Sequence, residues 1–444
     1  RMLKFVDLFA GIGGIREGLK RALQRHDIAS SCVFSSEIDK KAQETYRLNF
    51  NETPKGDIRL VEALPVHDIL LAGFPCQAFS YAGRQKGFAD TRGTLFFEIE
   101  RLLENAEAKP QLLLLENVRG LTTHDKGRTY TTILAKLERL GYGVCPLLIN
   151  SSNFGVPQNR VRLYLVCSLG RAPRLSIESD LGSPDSHKFK HKLLQQGLYA
   201  ANPFRCVSDV LEEDVDKKYL CNASFVDGLI KALGQRPLES LHGVRLIDYR
   251  GGNSLHSWDL GMKGTCTEKE RFLMDALIAN RRKKHFGSHQ DGKMLSAAQI
   301  RTFWPHQNLE ETLASLVSKG YLKLAEGKYN PVCGNMSFEV FKFLDPSSIA
   351  ITVVSSDAHR LGVVQHGIPR RITPRECARL QGFPDEFVLH PDDMSAYRQL
   401  GNSVSVPAIT AIFEDLIANS EPPFAHQPFQ DQLVYELLSE ATIG

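Results

Sequence analysis

Lys4-Phe-Val-Asp7-Leu-Phe9-Ala-Gly11-Ile-Gly13-Gly14 decides how the rest of the chain is read. An apolar, strand-like segment, Leu3–Phe9, runs straight into a glycine turn. The next stretch, Arg16–Arg25, sets Leu19 and Leu23 on one face of a helix. Strand, glycine turn and helix in that order open a parallel α/β unit, whose glycines let a ligand approach the backbone. Working outward, further strands are expected at Cys32–Ser36, Ile69–Ala72, Leu112–Glu116, Gly143–Asn150 and Arg162–Cys167. Helix patterns lie between them, among them Thr94–Glu104 and Thr131–Leu140. Residues 1–168 therefore predict an α/β fold with an open, doubly wound, Rossmann-like sheet. In such sheets ligands sit beyond the carboxyl ends of the strands, which should bring Asp7–Gly14, Gly73–Cys76 and Glu116–Val118 together. The glycine pattern alone fits dinucleotide enzymes nearly as well, and a plain tight turn also explains it.

Composition narrows the class. A length of 444 residues suggests two or three domains at roughly 100–200 residues each. Gly at 34 and Pro at 21 are ordinary and exclude collagen-like or disordered chains. No apolar run approaches the ~18–20 residues of a membrane helix, and no secretory leader precedes the first strand, so no membrane partner is expected. Nine Cys without a CxxC pair argue against a disulfide framework and against a metal site. A reducing compartment is expected. Net charge is only +3, which does not call for nucleic acid. Its distribution is uneven, however: Met262–Phe343 holds 13 Lys/Arg against 8 Asp/Glu. The densest point is Arg281-Arg282-Lys283-Lys284, for which a solvated helix end is the plain reading.

Residues 169–369 break the strand–helix rhythm. Helices are expected at Glu268–Asn280, Ser296–Phe303 and Leu309–Lys319, the last capped by Asn308 with Glu311 and closed by Gly320. Tyr321–Ala325, a Glu326-Gly327 turn and Lys328–Asn330 then read as a hairpin. Three helices and a hairpin resemble a winged helix. Further on, Pro374–Leu380 reads as a helix, Gly401–Val404 as the opening of another, Ala408–Ile417, and Asp431–Ala441 as a terminal one.

Several residues carry chemistry by position. Glu37, ending the second strand, falls where ribose hydroxyls are held, and Asp57 could take an adenine amino group. Cys76 follows a strand behind the stiff Pro75, beside the cations Arg84, Lys86 and Arg92, which favour a thiolate. The other eight Cys read as small buried apolar groups. Glu116 ends a very apolar strand, where a carboxylate is either an acid of raised pKa or a paired structural charge. Gln158, Arg160 and Arg162 line one strand end, and i, i+2 spacing puts both Arg on one face.

Taken in order, these stretches resemble the cytosine-C5 DNA methyltransferases, of the bacterial restriction-modification type. The matching motifs are Asp7–Gly14, Glu37-Ile38-Asp39, Gly56-Asp57-Ile58, Pro75-Cys76-Gln77, Arg92–Phe97, Glu116-Asn117-Val118 and Gln158–Arg162. Thr373–Pro384 and Gly401–Val404 close the series. The resemblance implies a class I S-adenosylmethionine-dependent methyltransferase domain built from residues 1–168 and 370–444. A separate target-recognition domain would span 169–369, with a winged-helix insert at about 267–343.

The resemblance also implies a cofactor, S-adenosylmethionine, with S-adenosylhomocysteine as product. Phe9, Gly11, Gly13, Gly14, Glu37, Ile38, Asp57, Ile58, Leu95, Asn402, Ser403 and Val404 would hold it. Cys76 would attack cytosine C6, Glu116 would hold N3, and Arg160 and Arg162 would bind O2, with Pro75 and Asn117 in the same motifs. The cytosine would be flipped out of double-stranded DNA. Ser80, Arg84, Lys86 and Arg92 would close over it, and Arg281, Arg282, Lys283 and Lys284 would contact DNA. A monomer in the bacterial cytoplasm, at the nucleoid, with a cognate restriction endonuclease completes the expectation. Three alternatives stay open: a transfer-RNA cytosine methyltransferase, a nucleotide-binding dehydrogenase, and a DNA-binding protein without catalysis. The dehydrogenase leaves Cys76, Glu116 and Arg162 unexplained.

Overall fold

The computed structural model describes residues 1–75, 95–181, 204–287, 293–332 and 338–425. Six strands build one sheet: β1 (Leu3–Leu8), β2 (Ser30–Ser35), β3 (Ile69–Gly73), β4 (Leu112–Val118), β5 (Tyr142–Asn150) and β6 (Val161–Leu169). Their order is β2-β1-β3-β4-β6-β5, with the first four parallel and β5 and β6 antiparallel to their neighbours. All six expected strands are present, and the expected open α/β sheet is the observed fold.

The apolar runs of β3 and β4 follow from burial on both faces. Ile69, Leu71, Leu112 and Leu114 point to a core shared with α1 (Gly14–Arg25) and the helix Val406–Ala418. Leu70, Ala72, Leu113 and Leu115 point the other way; α2 (Lys40–Phe50) follows β2, and α3 (Leu95–Glu104) and α4 (Arg128–Arg139) cover this second face. A Cβ added at Gly18 would stand 2.5 Å from the Ile409 Cβ, so α1 and the late helix cross closely. Chain order reverses at β1, with β2 on one side and β3 on the other. A crevice opens at such a switch point, outside the strands' carboxyl ends.

The chain divides into two units: Arg1–Val210 with Ala350–Ser356 and Cys377 onward, and Leu211–Ile349 with Asp357–Glu376. The expected boundaries at 168 and 369 therefore differ from the packing. Beyond β6 the chain stays on the first unit because the buried Asp415 carboxylate accepts the backbone N–H groups of Ser176 (2.8 Å) and Ile177 (2.9 Å).

In the second unit the helix Ala223–Leu233 precedes the short strands β7 (Arg245–Leu246) and β8 (Ser254–Leu255). Then come α5 (Glu268–Asn280), β9 (Leu295–Ser296), α6 (Ala297–Arg301), α7 (Leu309–Lys319), β10 (Leu322–Ala325) and β11 (Lys328–Pro331). This segment has its own core, including Leu273, Leu277, Ile300, Trp304, Leu313 and Leu316. Strands β12 (Lys342–Phe343), β13 (Leu361–Gln365) and β14 (Ile368–Arg371) return to β7 and β8 in a sheet ordered β14-β13-β12-β7-β8.

Two local expectations need correction. Capping boxes form at Thr267 with Glu270 and at Ser296 with Gln299, but not at Asn308. Asn308 is left-handed (φ 63) with no side-chain cap, and Glu310 beside it turns to Arg301. Gly401–Val404 does not open a helix; it ends Asp393–Asn402 and leads to the helix at Val406. The terminal helix at Asp431–Ala441 lies outside the described residues.

Arg370 and Glu376 form the second unit's most buried ion pair among the described residues, with the Glu376 side chain fully enclosed. Its two oxygens accept from both Arg370 Nη atoms (2.9 and 2.6 Å) and from the N–H groups of Thr373 (2.8 Å) and Glu212 (2.9 Å). Truncating one partner strands a buried charge, so Glu376→Ala should cost about 3–5 kcal/mol in urea unfolding. A loss under about 1 kcal/mol would show that these bonds do not support the fold.

Candidate active site

The glycine turn after β1 has a separate steric reason for each residue. Phe9 (φ 52) and Gly11 (φ 55) are left-handed, and nothing lies within 4 Å of where a side chain on Gly11 would point. A ligand can therefore reach the backbone there. A Cβ at Gly13 would meet Phe50 at 2.2 Å, and one at Gly14 would meet the Ser403 hydroxyl at 2.6 Å and Val404 at 2.9 Å. Gly14 is thus the bed on which Ser403 and Val404 pack, and Val404 is a core residue. Beneath the turn, buried Asp7 accepts the Tyr46 hydroxyl (3.0 Å), and Arg16 donates to Tyr46 (2.9 Å) and Glu52 (2.7 Å). Burial pushes the Asp7 carboxyl up to about 7, against the pull of Arg16. No periodic pattern of residues signals that network.

Glu37 stands at the end of β2, where its two oxygens accept the N–H groups of Gly11 (2.7 Å) and Asp39 (2.8 Å). Burial raises its pKa, while those N–H bonds lower it. Next to it Ile38 is 64% exposed, an apolar surface beside a carboxylate. The other expected cofactor residues separate. Asp57 is turned onto Arg59, whose guanidinium it accepts at 2.6 Å and which holds its carboxyl below the usual range. Ile58 belongs to the core rather than the crevice, and Leu95 begins α3 against that same core. Asn402 is exposed at a helix end.

On the other side of β1, Glu116 pairs in register with Gly73, and a Cβ there would lie 3.5 Å from its carboxylate. Arg162 approaches it at 3.6 Å (Nε to Oε1), with side chains 15% and 12% exposed. Burial raises the Glu116 pKa, opposed by Arg162 and then Arg160. An acid that keeps its proton, with a guanidinium beside it, can donate to one atom of a bound base and neutralise charge at another.

Arg160 and Asn117 do different work from that expected. Arg160 is buried, and its guanidinium donates to the carbonyls of Val353 (2.7 Å), Ser403 (2.6 Å) and Gly401 (3.3 Å). It clamps chain segments instead of facing a base. Asn117 donates to the Phe74 carbonyl (3.1 Å) and so holds the residues leading to Pro75. Gln158 completes the clamp: it donates to Leu380 O (2.8 Å) and Gln381 Oε1 (3.0 Å) and accepts Val353 N–H (2.9 Å). Cys76, Ser80, Arg84, Lys86 and Arg92 lie outside the described residues. Arg281 is buried, with Nη1 3.5 Å from Asn330 Oδ1, which corrects its expected role as a DNA contact; Arg282, Lys283 and Lys284 are exposed.

Comparison with known proteins agrees with this geometry. Residues 3–418 match the family model of C-5 cytosine-specific DNA methylases. The chain is 60% identical over 418 residues to the Type II methyltransferase M.BanI of Aneurinibacillus aneurinilyticus, covering 94% of this chain and 96% of that protein. It is 59% identical over 420 residues to the Type II methyltransferase M.HgiCI of Herpetosiphon aurantiacus (95% and 99%). M.NlaIV of Neisseria lactamica is 41% identical over 449 residues (94% and 99%). Among solved structures, the Entamoeba histolytica methyltransferase EhMeth gives a TM-score of 0.51 at 16% identity, covering 94% of this chain and 99% of that one. A putative DNA modification methyltransferase encoded within an E. coli prophage gives 0.50 at 22%, with the same coverage. Those two likenesses speak for the fold. The match over residues 3–418 and the relatives at 60% and 59% identity leave one conclusion: the chain belongs to the C-5 cytosine-specific DNA methylase family and is a DNA cytosine-C5 methyltransferase.

Proposed function

We propose that the chain methylates a cytosine turned out of double-stranded DNA, with Cys76 as nucleophile, Glu116 as the acid at N3 and Arg162 at O2. The observation that carries these roles is the half-enclosed Glu116–Arg162 pair beside Gly73, three residues before Cys76. Cytosine C5 is a weak nucleophile. Addition of the Cys76 thiolate to C6 forms an S–C6 bond and moves the 5,6 electron pair toward C5. Glu116 donates its proton at N3, and Arg162 offsets charge at O2. With the methyl group on C5, loss of the C5 proton, return of the N3 proton to Glu116 and elimination of the thiolate restore the ring. Arg160 and Asn117 are positioning residues in this scheme.

The family depends on S-adenosylmethionine, which supplies an electrophilic methyl group when bound. The residues at the crevice fit it: Gly11 is open to close approach, Glu37 offers a carboxylate to ribose hydroxyls, and Ile38 offers an apolar face. Asn402 is the late-helix candidate. The Type II relatives support a place in a restriction-modification pair with a cognate endonuclease. No described helix is long and apolar enough to cross a membrane.

Bisulfite sequencing of plasmid DNA from a host expressing the chain tests the activity and gives the modified site. Cys76→Ser should abolish methyl transfer while DNA binding survives; a 5-fluorocytosine adduct mapped to another Cys would sink the assignment. Because Glu116 holds its proton to higher pH than an ordinary carboxyl, the transfer rate should fall as pH rises through that raised value. Glu116→Gln should lose about 10²–10⁴ in rate and that alkaline limb with it; a variant retaining the limb would exclude Glu116 as the acid. Glu37→Ala should weaken S-adenosylmethionine binding in calorimetry with an unchanged unfolding transition, and unchanged affinity would remove Glu37 from the site.

A further inference from the structure

In the segment from α5 to β11 the order is helix, strand, helix, helix, strand, strand, and the last strand lies centrally, β10-β11-β9. Both turn residues of the hairpin, Glu326 (φ 53) and Gly327 (φ 71), are left-handed, the geometry of a tight two-residue connection. This is the winged-helix arrangement. In helix-turn-helix proteins the second helix of the pair enters the major groove. Here that helix is α7, and its exposed first turn carries Glu310 and Glu311. Acids there oppose a phosphate backbone.

The cations of the same segment divide into two groups. Those on the helical side are taken up internally: Arg301 by Glu310, Lys319 by Glu270 (2.7 Å), Lys263 by Gly320 O (2.9 Å) and Lys269 by Gln307 O (2.6 Å). Arg282, Lys283, Lys284, Lys323 and Lys328 are exposed and form no ion pair among the described residues. Lys323 stands directly opposite Asn330 in the hairpin, and Lys328, two residues before Asn330, shares its face. The buried Arg281, which immediately precedes Arg282–Lys284, reaches Asn330 at 3.5 Å.

We infer that this segment grips the DNA phosphate backbone through Arg282–Lys284 and the hairpin lysines Lys323 and Lys328, and not through its second-of-pair helix α7. The inference rests on the reading of the chain as a DNA methyltransferase and adds the surface and the backbone chemistry it uses. Phosphate contacts release counterions, at a slope of roughly −0.9 per contact in log affinity against log salt. They position the protein without reading bases.

The test measures duplex binding by the full chain across a salt series. Two variants are compared with wild type: Arg282→Gln with Lys283→Gln and Lys284→Gln, and Lys323→Gln with Lys328→Gln. The triple variant should flatten the slope by roughly 2–3 and the hairpin variant by roughly 1–2, with the bisulfite-mapped site unchanged in both. Glu310→Gln with Glu311→Gln should leave the slope as it was. Wild-type slopes in both basic variants would overturn the inference, as would a slope that moves only in the acidic one. The hairpin variant, altering two exposed side chains, gives an independent reading if the triple variant fails to fold. Absence of DNA methylation by wild type would instead count against the activity itself, which separates the two failures.

Discussion

Arg160 is the constraint on which the first unit's late segments depend. Its guanidinium is buried beside Arg162, and both burial and that neighbour favour loss of its charge. Three carbonyl oxygens, from Val353, Gly401 and Ser403, offset that cost. Hydrogen bonds to a charged group contribute about 1.5–3 kcal/mol each, enough to balance a desolvation penalty of several kcal/mol. Gln158 and Gln381 extend the clamp to Leu380 and Leu400. Residues far apart in the chain, 158–160, 350–356, 380–382 and 400–404, are thereby held as one piece. Ser403 and Val404 can then rest on Gly14, which carries the glycine turn.

That rigidity sets the electrostatics of the crevice. Glu116 occupies the end of a strand whose preceding four residues are buried leucines, so its carboxylate is poorly solvated and holds a proton readily. Arg162, at 3.6 Å, pairs with it, and Arg160 adds to the opposition. Burial raises the Glu37 pKa as well, and there the N–H groups of Gly11 and Asp39, rather than a guanidinium, oppose the rise. The two carboxylates, at the ends of β2 and β4 with β1 and β3 between them, therefore differ in what opposes their burial.

The second unit spends its charges differently. A buried Arg370–Glu376 pair and the backbone groups around it fix the start of the helix at Pro374. In the inserted segment, acids along α5 and α7 neutralise the helical cations, while those of the hairpin and of the turn after α5 face water. Net charge over the segment conceals this separation.

The sequence by itself determined the sheet, because β1, β3 and β4 carry apolar runs that only a strand buried on both faces accommodates, and because glycines must stand where Cβ atoms would collide. It also determined the family, since the motifs lie at strand ends in a fixed order. Tertiary structure alone decided which polar residues of those motifs face the crevice. Arg160 and Arg162 look equivalent at i, i+2, yet one meets three carbonyls brought from residues 353, 401 and 403, and the other meets Glu116. Arg281 and Arg282 are likewise adjacent and opposite in fate, because Asn330 and the core beneath it enclose the first and leave the second in water. Local pattern records a residue's type and its strand or helix phase. It cannot record partners that the fold brings in from dozens to hundreds of residues away, and those partners fix where a buried charge can rest.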